Sequence, residues 1–278
     1  LCTQNMPDLS RFDLIKTIHL NGNQLLSIKK SKWPEADSLE AIILASNQLK
    51  RIHFKRNKSV KSLDLSENNF KRIPRSIRRL QSLRHLDLSK NKIRRIPGFI
   101  RNMDSLVELK LNYNQLNSLS KRDIKKLKPL KSLHVGANEL YSMPANMDEL
   151  KDIETLNFGI NHISYLPSSF AHLESLEHII LYRNEFDSIP EEIWGLNKLK
   201  EIDFYHNKIH LIPEALGNMK SLEQVYLAYN EIDHIPDTLF TLSQLKALYL
   251  HHNKLIMVPQ GLTQLKELQY LDLGYNQI

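Results

Sequence analysis

Apolar residues in this chain recur in a fixed frame. Around Asn91 they fall at Leu83, Leu86, Leu88, Ile93 and Ile96, with Pro97 next; around Asn184 they fall at Leu176, Ile179, Leu181, Phe186 and Ile189, with Pro190 next. The frame, L-x-x-L-x-L-x-x-N-x-L, is centred on Asn23, Asn47, Asn68, Asn91, Asn114, Asn138, Asn161, Asn184, Asn207, Asn230, Asn253 and Asn276. Successive spacings are 24, 21, 23, 23 and 24, then 23 at each remaining step. Self-similarity at such a period is the mark of a solenoid, in which stacked units close a core that no single unit could bury.

Each position in the frame has a physical task. The x-L-x-L-x stretch alternates apolar and polar, the period of a short strand with one face buried. The asparagine follows where the chain must turn inward, and its amide is suited to backbone groups that no strand partner reaches. Stacking the units makes a ladder of such bonds. The Ile-Pro that follows (Ile73-Pro74, Ile96-Pro97, Ile212-Pro213, Ile235-Pro236) stops the strand, because proline fixes φ and has no N–H to donate. Stretches such as Glu191-Glu192-Ile193-Trp194-Gly195-Leu196 carry apolar residues inward at three-residue spacing, which suits short 3₁₀ or irregular turns on the outer wall.

From about Ile15 onward the chain resembles the 23-residue class of leucine-rich-repeat proteins. The I-P-x-x-I-x-x-L-x-x-L linker from Ile189 to Leu199 carries that likeness. Similar units occur in Ras-pathway scaffolds of eukaryotes and in the large repeat families of pathogenic leptospires. The resemblance implies an α/β solenoid: a single right-handed horseshoe of about 12 short parallel strands on its concave face, with 3₁₀ or irregular turns on the convex face. Residues 1–14 are expected to form an N-terminal capping segment and residues 15–278 the repeats, the last incomplete. The linkers Lys29–Pro34 and Ser118–Ile124 lack Ile-Pro and sit in repeats one residue longer than 23, so a bulge or an extra helical turn is expected there. The incomplete last repeat implies a missing cap or a covering chain.

In this frame, residues 6, 4, 2 and 1 before each asparagine line the solvent face of the sheet, and those 8, 5 and 3 before it enter the core. These four columns hold about one sixth of the chain, so ten evenly scattered tyrosines would place roughly two there. Eight fall in them: Tyr113, Tyr182, Tyr205, Tyr226, Tyr229, Tyr249, Tyr270 and Tyr275. Seven of the eight belong to the last five repeats. His178, His206, His251 and His252 share the columns there, whereas the first half of the face is small and polar, as at Thr17, Asn21, Ser62, Asp64 and Ser66. Stability alone gives no reason for that gradient. The expected partner surface is therefore Tyr182, Arg183, Tyr205, His206, Tyr226, Tyr229, Tyr249, His251 and Tyr270, beside acidic Glu201, Asp203 and Asp272. Such rings offer large contact area with few rotamers to freeze. The competing structural role is lateral stacking of rings along the sheet.

Charge is just as uneven. From Lys50 to Arg101 there are 17 Lys and Arg against 3 acids, a local net of +14 (17 − 3), while the whole chain carries +7. Three pairs share one register, three and four residues after an asparagine: Lys50-Arg51, Lys71-Arg72 and Arg94-Arg95. This column is either a solvated flank or an anion site for an acidic protein, a sulfated glycan or a lipid headgroup. Nucleic acid is disfavoured, since no groove-entering helix or base-stacking motif accompanies the charge.

Apolar content of 41% and charged content of 25% speak against wholesale disorder. Cys2 is the sole cysteine, which excludes an intrachain disulfide and the cysteine-rich end caps of many animal repeat proteins. It would serve as an ordinary capping residue or as the remnant of a lipid-attachment site. No apolar run is long enough to span a membrane. Neither G-x-x-x-x-G-K-S/T, G-x-G-x-x-G nor H-E-x-x-H occurs, so no cofactor and no catalytic residues are assigned. His251 and His252 with Asp272, or His178 with Glu201 and Asp203, could sit close enough across neighbouring strands to hold Zn²⁺, and no metal is assigned to them. The expected function is a non-enzymatic module binding a protein or peptide. A bacterial secreted or surface location, with a host or envelope partner, is favoured over a cytoplasmic one. The alternatives are a scaffold domain within a larger intracellular signalling protein, and an anion binder working through the basic flank.

Overall fold

The computed structural model describes residues 6–125 and 127–278 and divides into two compact units, Leu1–Asn138 and Glu139–Ile278. The first unit contains β1 (Thr17–His19), β2 (Ser27–Ile28), β3 (Ala41–Ile43), β4 (Arg51–Ile52), β5 (Ser62–Asp64), β6 (His85–Asp87), β7 (Glu108–Lys110) and β8 (Ser132–His134). Strands β1, β3, β5, β6, β7 and β8 pair in that order and all run parallel. Strands β2 and β4 form a separate parallel ribbon on the flank. The second unit contains β9 (Thr155–Asn157), β10 (His178–Ile180), β11 (Glu201–Asp203), β12 (Gln224–Tyr226), β13 (Ala247–Tyr249) and β14 (Tyr270–Asp272), again paired in chain order and parallel. Partners lie one repeat apart: Ile179 faces Leu156 on one side and Ile202 on the other. Each unit is thus a leucine-rich-repeat solenoid whose sheet strands are six in number among the described residues. Cys2 lies outside those residues. Of the expected capping segment, Met6 is buried, the Leu9 N–H donates to the Lys32 carbonyl at 3.1 Å, and Asp8 lies 3.5 Å from Lys32.

The strands are only three residues long because the turn that follows is fixed by the asparagine. Asn184 shows the pattern. Its amide nitrogen donates to the carbonyls of Leu181 at 3.0 Å and Tyr182 at 3.4 Å in its own turn, and to Phe158 at 3.0 Å in the turn before. Its amide oxygen accepts the N–H of Ile163, also one turn back, at 3.0 Å. Asn68, Asn91, Asn138, Asn207, Asn230 and Asn253 make the corresponding bonds, and all are buried. Each asparagine therefore closes its own turn and ties it to the preceding one.

To aim the amide inward, the residue before it must enter the left-handed region. Ser46, Glu67, Lys90, Tyr113, Ala137, Ile160, Arg183, His206, Tyr229, His252 and Tyr275 all have φ between 51 and 56°. Only Gly22 at this position is a glycine. For an L-residue this conformation costs about 1–2 kcal/mol, and a β-branched Ile160 is poorly suited to it. Four amide hydrogen bonds at roughly 0.5–1.5 kcal/mol each more than offset that strain. The frame's last two solvent columns, expected as strand, are consequently turn: they lie beyond the three-residue strands, and the second of them is left-handed.

Proline ends the inward path in most repeats. Pro74, Pro97, Pro167, Pro190, Pro213, Pro236 and Pro259 immediately precede 3₁₀ turns, with φ between −63 and −76°. Their carbonyls accept the N–H three residues on, as from Phe170 to Pro167 at 2.8 Å, and this drives Ile77, Ile100, Phe170, Ile193, Leu216 and Leu239 into the core. Of the two long linkers without Ile-Pro, only the second gains the expected helical turn. Lys30–Lys32 forms a 3₁₀ turn, and Lys121–Ile124 forms a turn of α-helix closed by a capping box between Ser120 and Asp123.

The Asn184→Ala variant removes four hydrogen bonds from a buried turn and leaves the Ile163 N–H without a partner, while the three carbonyls keep one donor each, from Asn161, Ile160 and Asn207. It should lower stability by about 3 kcal/mol, read as a shifted urea midpoint. Replacing Ile160 by Asn, which tolerates the left-handed region, should instead raise stability by about 1 kcal/mol; an unchanged or lowered midpoint would show that the turn carries no strain there.

Candidate functional site

The parallel register sets the solvent-facing side chains of the second unit in rows. Tyr226 and Tyr249 are direct partners on β12 and β13, and their rings stack 5.1 Å apart at an interplanar angle of 10°. The Tyr226 hydroxyl donates to Gln224 Oε1 at 2.7 Å, which draws the ring down over the sheet. Next to Tyr226 in the register is Asp203, and next to Asp203 is Ile180.

The second and third rows come from the turn. The left-handed positions form a continuous stack of alternating rings: His206 on Tyr229 at 5.9 Å, Tyr229 on His252 at 3.9 Å, and His252 on Tyr275 at 4.2 Å. In the row between, Tyr205 packs on Tyr229 at 5.2 Å and reaches His251 at 6.4 Å. Tyr205 and His251 belong to turns that are two apart. They meet because the intervening residue of their column is Ala228, which is buried and leaves the space above it to the rings. Gly159 plays the same part for Tyr182, whose ring covers it so closely that a Cβ there would collide with Tyr182 Cε1. Small residues at 159 and 228 thus seat large neighbours.

The expected residues Tyr205, His206, Tyr226, Tyr229, Tyr249 and His251 are therefore brought together. Tyr182 and Arg183 lie one turn earlier; Arg183 is exposed, and its backbone N–H donates to the Tyr205 carbonyl at 2.7 Å. Tyr270 stands on β14 with no ring neighbour among the described residues and is 60% exposed. Two residues left out of the expected surface, His252 and Tyr275, complete the stack. They occupy the column of His206 and Tyr229, and that shared position was the signal for them.

Acidic groups border the rings. His178 Nδ1 lies 2.9 Å from Glu201, and His251 Nδ1 lies 3.1 Å from Asp272. Asp203 has no cation within ion-pair distance among the described residues. Burial pushes its carboxyl up to about 6; the N–H of Tyr205, donated at 2.9 Å, works against the rise, and nearby Glu201 adds to it. Burial likewise raises the Tyr226 hydroxyl, with Glu201 the next cause. No group of three metal-ligating side chains converges among the described residues.

The second candidate surface lies in the first unit. Lys50, Arg51, Lys71, Arg72, Arg94 and Arg95 are all exposed. Arg51 pairs with Ser27 through the β2–β4 ribbon, which fixes the column on the flank of the sheet. Two open clefts lie between its first two rungs. One, of about 740 Å³, is lined by Lys50, Arg51, Asn69, Lys71, Arg72 and Lys92. The other, of about 340 Å³, runs between the segments Lys50–His53 and Arg72–Ser76.

Comparison with known proteins agrees with this architecture. Models of the leucine-rich repeat match residues 51–93 and 220–278, a two-copy model matches 81–126, and a single-repeat model matches 198–219. No curated protein sequence matches the chain. Among solved structures, a leucine-rich-repeat protein of Leptospira interrogans is 30% identical, with a TM-score of 0.78, over 94% of this chain and 73% of that one. The internalin InlF of Listeria monocytogenes shares the fold at 21% identity and a TM-score of 0.68, over 92% and 86%. The ectodomain of the Arabidopsis thaliana receptor kinase GASSHO1/SCHENGEN3, solved in complex with Casparian strip integrity factor 2, is 25% identical with a TM-score of 0.63, over 95% of this chain and 38% of that one. On its twelve-fold frame, its asparagine-tied parallel strands and its likeness to the leptospiral protein, this chain belongs to the leucine-rich-repeat family.

Proposed function

We propose that the chain is a non-enzymatic binding module that grips a protein or peptide partner with the Tyr/His face of its second unit. The observation that carries this reading is the joined set of rings from Tyr205 to Tyr275, stacked on one another yet open to solvent. Rings held by their neighbours have already lost most of their rotamer freedom, so a partner that covers them gains apolar contact without ordering them. Hydroxyls, imidazoles and Arg183 at the rim supply polar contacts that fix orientation.

Asp203 supports the same reading. A carboxylate held half-buried beside apolar and aromatic groups, with no cation to meet it, is a liability to the free protein. It becomes useful when a partner brings a donor to it. We further propose that the protein is bacterial and exported or surface-associated, and that its partner is a host or envelope protein. The 30% identity to the Leptospira interrogans protein over 94% of the chain supports that setting. The plant receptor ectodomain solved with its bound factor supports a protein ligand.

The liability of Asp203 has a definite pH dependence. Its carboxyl binds a proton more tightly in the folded chain than in the unfolded one, where the value is near 3.8. The destabilisation is therefore complete above about pH 6 and disappears as the pH falls towards 4. Asp203→Asn should raise stability by roughly 2 kcal/mol at about pH 8 and leave it unchanged near pH 4, as followed by urea denaturation. A gain of equal size at both pH values would assign the effect to packing.

For the surface itself, peptides selected from a displayed random library against the wild-type chain should lose at least about 30-fold in affinity on the Tyr205→Ala/Tyr226→Ala/Tyr249→Ala variant. The thermal melt of that variant should stay close to wild type. Loss of the off-face tyrosines in Tyr141→Ala/Tyr165→Ala should leave affinity intact. Selected peptides that bind the triple variant as tightly as wild type remove this face from consideration.

A further inference from the structure

At several places on this chain, charges one turn apart are matched. Lys55 meets Glu35 at 2.9 Å, Lys61 meets Glu40 at 3.2 Å and Lys90 meets Glu67 at 2.6 Å. In the second unit, Lys200 meets Glu177 at 2.7 Å, Lys246 meets Glu223 at 2.6 Å and Lys254 meets Glu231 at 2.7 Å. The basic flank of the first unit has no such partners. Its three rungs place like charge on like charge at the interstrand spacing of about 4.8 Å, and such pairs repel.

The repulsion has no internal remedy. Among the described residues, no acid lies within ion-pair distance of Lys50, Arg51, Lys71, Arg72, Arg94 or Arg95. The three acids of the basic block are engaged elsewhere. Asp64 accepts from the N–H and hydroxyl of Ser66, Asp87 accepts from the N–H of Ser89, and Glu67 is held between Lys90 and Ser46. The nearest neutral partner is Gln115, which accepts from Arg94 Nε at 3.3 Å. The column is also bounded. In the flanking turns the same positions are Leu26-Ser27 and Asn117-Ser118, so the charge covers three turns, about 10 Å. Both clefts lie between the first two rungs, with Lys50, Arg51 and Arg72 lining each, and Arg94 and Arg95 extend the column beyond them.

We infer that this flank binds a sulfated polysaccharide, with sulfate groups seated in the clefts between the first two rungs and the polymer continuing over Arg94 and Arg95. A linear polymer carrying anions at intervals fits a linear column of paired cations, and arginine's fork suits the tetrahedral oxyanion. Two neighbouring features separate this ligand from other polyanions. No exposed Phe, Tyr or Trp stands between Lys50 and Arg101 for a base to stack on, which disfavours nucleic acid. Ile52 and Ile73 at the floor of the smaller cleft are buried, which leaves no apolar anchor for an acidic protein. This site is independent of the Tyr/His face.

The test is a titration of the whole chain with a fluorescent heparin oligosaccharide at several salt concentrations. Wild type should bind, with affinity falling steeply as salt rises. The Lys71→Glu/Arg72→Glu/Arg94→Glu/Arg95→Glu variant should bind at least about 100-fold more weakly, with a visibly shallower salt slope. A charge-matched variant, Lys16→Glu/Lys29→Glu/Lys151→Glu/Lys198→Glu, should lose less than about 3-fold. Thermal melts confirm that both variants fold. Absence of wild-type binding, or equal loss in the two variants, overturns the inference. So does desulfated heparin binding as tightly as heparin, or duplex DNA competing on equal terms, which would give the flank to nucleic acid. The triple tyrosine variant should keep wild-type affinity for heparin, so failure of one site is distinguishable from failure of the other.

Discussion

The structure depends on one side-chain amide per turn. An asparagine in the buried corner after each strand donates to carbonyls of its own turn and of the turn before, and accepts an N–H from the latter. No other side chain of that size offers two donors and an acceptor without charge. Without this ladder, buried carbonyls such as those of Leu181 and Phe158, and one N–H per turn, would be unpaired, at about 1–3 kcal/mol each. The same contact fixes the stacking distance, because it ties consecutive turns at their tightest bend. The parallel register, with partners one repeat apart, follows from it.

That constraint also decides where chemistry is displayed. Aiming the amide inward forces the preceding residue into the left-handed region, and its side chain is turned outward beyond the end of the strand. The position tolerates almost any residue type, from Ser46 to Ile160 to His252, because the strain is borne by the backbone and offset by the amide bonds. It is therefore free to vary. In the second unit it holds His206, Tyr229, His252 and Tyr275, whose rings stack because the turns that carry them are stacked.

The fold was legible in the sequence because each frame position has only one geometry that satisfies it. Leu at the inward positions, Asn at the corner and Pro at the exit each answer a separate demand, and twelve repetitions remove ambiguity. Even the departures were readable: the extra residue before Asp123 becomes a turn of α-helix capped by Ser120. The details of the ring surface were not. That Tyr205 reaches His251 across a turn depends on Ala228 being small and on where each ring leans, and column positions carry no information about rotamers. Alternation places the last two solvent columns on the strand because periodicity of two describes side-chain direction, whereas the turn that holds them is imposed by hydrogen bonds that the alternation does not encode.

The basic column shows the same boundary from the other side. Its alignment could be read from spacing alone, because residues at equal distance from successive asparagines must stack. Its lack of counter-charge could not. Glu67 lies close enough in sequence to have neutralised Lys71, and only the structure shows it committed to Lys90 and Ser46. A solenoid makes that distinction matter. In a globular fold a surplus cation can swing towards a distant acid, but here a side chain finds most of its neighbours in its own turn and the two adjoining turns. Matching must therefore be built turn by turn, as it is at Lys200, Lys246 and Lys254. Where three consecutive turns carry matching cations and none carries an acid within reach, the repeat architecture itself offers no way to discharge the column, and the counter-charge has to come from solvent ions or from a ligand.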